Sequence, residues 1–148
     1  MRLSTTLSTL LTTLTLTLTP SHARDIPSGA ELCVGQGAGS CQFAAYQLQE
    51  SSCEDLQYNA AYIYDHACNV IGHVENFADG DAIDSQLPYT VDVESITGGP
   101  SCSIKYRIAY SDGVYGYGEP AGGVWGSCTE SGYPKCNWYR VAFACPGF

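Results

Sequence analysis

The chain has 148 residues, 6 of them basic and 15 acidic, for a formal charge of −9. That length suits one domain of ordinary size. The acidic balance argues against electrostatic capture of nucleic acid or an anionic membrane, and no apolar run reaches the roughly 18–20 residues of a membrane span.

Met1-Arg2 is followed by a leucine/threonine stretch and then Pro20-Ser21-His22-Ala23. A basic start, an apolar stretch, a turn-former and small residues at −3 and −1 make up a secretory signal. Cleavage is expected after Ala23, leaving 24–148 as a single disulfide-bonded domain. All eight cysteines fall in that part: Cys33, Cys41, Cys53, Cys68, Cys102, Cys128, Cys136 and Cys145. An even count in an exported chain predicts four bridges, with the pairing left open. No Cys-x-x-Cys occurs, which argues against zinc.

Weak strand patterns cover 31–34 and 42–48. The spacing then predicts a helix over 52–68. Ser51 and Glu54 form a capping-box pattern, and Cys53, Leu56, Ala60, Ile63, Tyr64 and Ala67 recur at three- and four-residue steps. Such a helix holds Cys53 and Cys68 about 22 Å apart, too far for a bridge between them. Further strands are expected at 70–77, 89–96, 103–110, 124–128 and 138–145, the third and last with clear alternation. The expected fold is α+β: a small disulfide-stabilised domain with an antiparallel sheet and one main helix packed on it.

Charge is uneven along the chain: 25–103 holds twelve acids and no Lys or Arg, and 105–148 holds four basic residues and three acids. The acidic run 75–84 lacks the EF-hand order and reads as a solvated loop. His66 and His73 are the only histidines after the signal. Their spacing fits no helical metal pair, and Asp65 is placed to orient His66. A ribonuclease needs a base, an acid and a cation near phosphate, so either histidine would have to meet Lys105, Arg107 or Arg140 in space. No catalytic residue, metal ligand or cofactor is assigned.

The run 112–126 is too rich in glycine for one regular strand. It carries Tyr115, Tyr117 and Trp125, candidate binding rings able to stack on a sugar or anchor a protein contact. No Asn-x-Ser/Thr occurs, so N-glycosylation is not expected.

In its whole layout (short signal, mature chain, eight cysteines, abundant Gly and Tyr) the chain resembles the small secreted cysteine-rich proteins of filamentous fungi. The resemblance implies a secreted, effector-type, non-enzymatic protein that binds a host protein or an extracellular glycan. A carbohydrate-binding or toxin-like module using the aromatic Gly-rich run is the first alternative, and a small secreted hydrolase such as a ribonuclease the second. A monomer is expected, without nucleic-acid partner or membrane span.

Overall fold

The structure, a computed structural model, describes residues 25–28, 30–49, 56–98, 104–130 and 133–148. The expected signal, its cleavage site, Cys53 and Cys102 lie outside the described residues. The ordered elements are strands: β1 Ser40–Gln49, β2 Leu56–Tyr64, β3 Val70–Glu75, β4 Ala82–Ile83, β5 Val91–Gly98, β6 Ile104–Tyr110, β7 Gly113–Gly116, β8 Val124–Glu130 and β9 Tyr133–Ala144. They form two antiparallel sheets, β3-β2-β1-β9-β8 and β4-β5-β6-β7.

This corrects the α+β expectation. Among the described residues there is no helix, and 56–64 run as a strand between β1 and β3. The apolar recurrence has another cause. Ala61 and Ile63 pack between the sheets while Ala60, Tyr62 and Tyr64 pack on the opposite face. A strand buried on both faces carries apolar residues at nearly every position, so a three-and-four-residue stripe can be picked out of it without any helix being present. Its tyrosines and isoleucine favour extended backbone. The capping-box residues lie outside the described residues. Cys68 bonds to Cys33, so the exclusion of a Cys53–Cys68 bridge holds, although its helical reason falls with the helix.

Alternation explains the rest. In β6, Ile104, Tyr106, Ile108 and Tyr110 are buried while Lys105, Arg107 and Ala109 are not. In β9, Tyr139, Val141 and Phe143 point to the same inter-sheet core, joined by Cys145 just beyond the strand. β1 lies at the centre of the larger sheet and is buried along almost its whole length. Tyr106 sits at the core's hub, with ring centroids 5.4 Å from Phe43, 5.8 Å from Phe77 and 5.5 Å from Tyr139.

A second apolar cluster forms on the outer face of the larger sheet, around Ala44, Tyr46, Tyr62 and Trp138. Burial pushes the Tyr64 hydroxyl up to about 12, since an ionised phenolate there would lack water. Residues 30–37 lie over this face as a strap rather than as the expected strand at 31–34, with Leu32 buried in the cluster. Gln42, itself buried, accepts from the Val34 amide through Oε1 at 3.2 Å and donates through Nε2 to the Val34 carbonyl. Arg140 donates to the Glu31 carbonyl, and Cys33–Cys68 ties the strap to the β2–β3 turn.

Two more bridges close the frame. Cys41–Cys145 joins the start of β1 to the residue following β9, and Cys128–Cys136 links directly opposed residues of β8 and β9. On the β3 side, buried Asn59 donates to the Phe77 carbonyl at 2.7 Å and accepts from the Phe77 amide at 3.0 Å. The acidic segment that follows is part of the framework: Asp79 accepts from the Ile96 amide and Asp81 from the Ala78 amide, both at 2.7 Å. Those carboxylates satisfy backbone donors that the sharp loop leaves without strand partners.

Candidate functional site

The glycine-aromatic run connects the two sheets. β7 is an edge of the smaller sheet, β8 an edge of the larger, and 117–123 cross between them along one side of the sandwich. Gly116 makes the departure possible. Its φ is +109°, and a Cβ there would run into the Tyr106 carbonyl oxygen, so only glycine allows both the left-handed turn and the close approach.

The structure divides the three candidate rings. Tyr115 pairs with Ile108, turns toward the core and rests on Phe143 with centroids 5.8 Å apart. Tyr117 is 50% exposed, and the Lys105 ammonium stands 4.1 Å above its ring. Trp125 is 57% exposed although it pairs with buried Tyr139. Register places both residues on the inner face of the larger sheet, so the contrast means that β8 extends past the cover of the smaller sheet. Val124, on the other face of β8, is also exposed and lines a hollow of 210 Å³ with Gln36 and Arg140.

Charged groups hold the crossing. Arg107 reaches Glu94 at 2.9 Å and Glu119 at 3.3 Å. Each pair is exposed and worth little alone, but the shared guanidinium ties the 117–123 segment to β5 and β6. The acidic and basic parts of the sequence therefore meet through Arg107, and again through Arg140 and Glu31.

At the opposite end of β7 lies a pocket of 330 Å³, lined among others by Tyr89, Tyr110, Tyr115 and Asp112. Tyr89 and Tyr110 meet edge-on at 6.0 Å with planes 71° apart. Tyr110 in turn lies 5.1 Å from Phe143. Burial, then the neighbouring hydroxyls of Tyr89 and Tyr115, raises the Tyr110 hydroxyl above its ordinary value. Sequence reasoning missed Tyr89. It follows Pro88 at a strand entry, and no local pattern marks it as the neighbour of Tyr110, 21 positions on.

His73 does not join a cation. His73 stacks on Tyr62 at 4.6 Å and lies 3.7 Å from Glu75. It shares one cross-strand row with Tyr62, Ala44 and Arg140, which puts it three strand spacings, about 14 Å, from Arg140. Arg107 lies on the other sheet. Asp65 does not orient His66. Its carboxylate accepts from the Asn69 side chain at 2.7 Å and from the Asn69 and Ala67 amides at 2.8 and 2.9 Å. Those donors, the Asn69 side chain foremost, hold it below the usual carboxylate range. Among the described residues no three His, Cys, Asp or Glu side chains gather as a metal site, and no helix is long and apolar enough to cross a membrane.

Comparison with protein-family models, curated proteins and solved structures finds no match. Three bridges among the described residues of so small a body fit an extracellular, oxidising setting.

Proposed function

We propose that this is a secreted, effector-type binding protein that recognises a host or other extracellular protein through the β7–β8 side, without catalysing a reaction. The observation that carries the reading is the pair of half-exposed rings, Tyr117 and Trp125, flanking one short crossing on a disulfide-linked frame. Aromatic anchors edged by charged groups are the composition of a protein-binding patch, and Lys105, Arg107, Glu94 and Glu119 supply that edge. Because Trp125 stands on a strand, little ordering entropy is lost when it docks.

Carbohydrate binding is the second reading. It is favoured by the same exposed indole on a rigid strand, a flat apolar surface on which a sugar ring can stack.

The test compares wild type with a Tyr117→Ala/Trp125→Ala variant of matched melting temperature. Both are passed over immobilised extracellular-matrix protein from a host tissue, chitin and cellulose. Retention of wild type on the protein surface, falling at least about tenfold in the variant, is expected. Retention on the polysaccharides alone selects the second reading over the first. Equal retention of variant and wild type, or none on any surface, overturns the assignment of this side. RNA degradation that His66→Ala or His73→Ala abolishes overturns the non-catalytic reading.

A further inference from the structure

The pocket at the β6–β7 turn is distinct from the Tyr117–Trp125 side, and its chemistry is narrower. Three tyrosines from separate segments line it: Tyr89 from the segment before β5, Tyr110 from the end of β6 and Tyr115 from β7, the first two in contact. Tyr110 and Tyr115 both rest on Phe143, at 5.1 and 5.8 Å, so the inner walls are fixed by the core. Tyr89 stands nearly perpendicular to Tyr110 and is 59% exposed, forming the outer wall. The wall at Tyr115 depends on Gly113, because a Cβ at that position would run into the Tyr115 ring. The one ionisable group besides the phenols is Asp112, and no Lys, Arg or His lines the pocket.

Rings meeting at a corner beside a carboxylate suit a particular guest. A sugar stacks best on one open flat face, and here the exposed ring, Tyr89, stands across the largely buried Tyr110. A compact cation gains from several π faces at once and from a single anion near them. The volume, 330 Å³, is at the small end for ligand pockets and leaves ample room for a trimethylammonium group.

We propose that Tyr89, Tyr110, Tyr115 and Asp112 form a binding site for an alkylammonium group. Such a group is carried by a free quaternary amine or by a lysine side chain, methylated or not. The site stands independently of the β7–β8 side and survives if that assignment fails.

Calorimetric titration of the full protein tests it with four probes: choline, its neutral isostere 3,3-dimethylbutan-1-ol, Nα-acetyl-Nε-trimethyllysine amide and N-acetylglucosamine trimer. Choline is expected to bind at least about tenfold more tightly than the isostere, the difference being the charge alone. Tighter binding of the trimethyllysine probe than of choline identifies the side-chain source, and the reverse the free amine; both support the site. Tyr89→Phe keeps the π face and is expected to retain affinity, whereas Tyr89→Ser and Asp112→Asn each weaken choline several-fold. Tyr89 is largely exposed, so its variants are expected to melt with wild type, and Trp125→Ala to leave choline binding unchanged. Equal affinity for choline and the isostere, binding of the trisaccharide alone, or no binding of either ammonium probe overturns the proposal.

Discussion

Replacing Cys41 and Cys145 together by alanine is expected to lower the unfolding free energy by about 4.7 kcal/mol, the value loop-closure entropy assigns to a bridge of this span. The two residues are 104 positions apart and fully buried. Their bridge ties β1, the central strand of the larger sheet, to the end of β9, its neighbour. It closes the longest loop among the described bridges. The same relation gives about 3.8 kcal/mol for Cys33–Cys68 and about 2.5 kcal/mol for Cys128–Cys136, whose separations are 35 and 8. Denaturant unfolding of the three double-alanine variants measures the ranking. The greatest loss from the Cys128–Cys136 variant would contradict it.

Tyr106→Ala is expected to cost about 3–5 kcal/mol, in the range of large aromatic truncations. The ring is fully buried and reaches from the smaller sheet to Phe43 of β1 and Tyr139 of β9 in the larger one, with Phe77, just beyond β3, beside them. Its backbone carbonyl also receives the Tyr117 amide at 2.9 Å. Loss of the ring therefore loosens the inter-sheet packing at the point where the crossing segment starts. Tyr106→Phe keeps every ring contact and is expected to cost less than about 1.5 kcal/mol. Chemical denaturation of both variants separates ring from hydroxyl. A small loss in Tyr106→Ala would mean that the sheets do not pack through this residue.

Most strands were legible in the sequence. β6 alternates strictly between buried and accessible residues, and the expected spans at 42–48, 70–77, 89–96, 124–128 and 138–145 each overlap an observed strand. β2 was not legible as a strand, because its apolar residues on both faces also fall at three- and four-residue steps behind a capping-box pattern, which outweighed period two. The short β4 and β7 were also missed. β4 has two residues, and β7 is bounded by Gly113 and Gly116, residues that count against a strand locally. What makes β7 a strand is pairing with β6, a tertiary fact. The site divides along similar lines. Tyr117 and Trp125 stood out by composition and are exposed. Tyr115 stood out by the same signal but turns inward, because its register with Ile108 sets the face. Tyr89 carried no local signal, since its meaning arises only when the segment before β5 is folded against β6.

The strap over 30–37 teaches a related point. Leu32 and Cys33 resemble a strand locally, yet Gln42, Arg140 and the Cys33–Cys68 bridge hold them as a covering segment. A partner distant in sequence determines the conformation, and no periodicity reports it.

The larger sheet overhangs the smaller one, which leaves the Trp125 indole exposed on its inner face, while the Trp138 indole is buried in the strap-covered cluster on its outer face. Acrylamide quenching of two variants, each with a single tryptophan, tests that directly. Trp138→Phe leaves Trp125, 57% exposed, and Trp125→Phe leaves Trp138, 6% exposed. The expected result is rapid quenching of Trp125, close to that of free indole, and several-fold slower quenching of Trp138. Equal quenching of the two, or faster quenching of Trp138, would contradict the overhang at Trp125 and the strap cover at Trp138, and with the overhang the binding surface built on it.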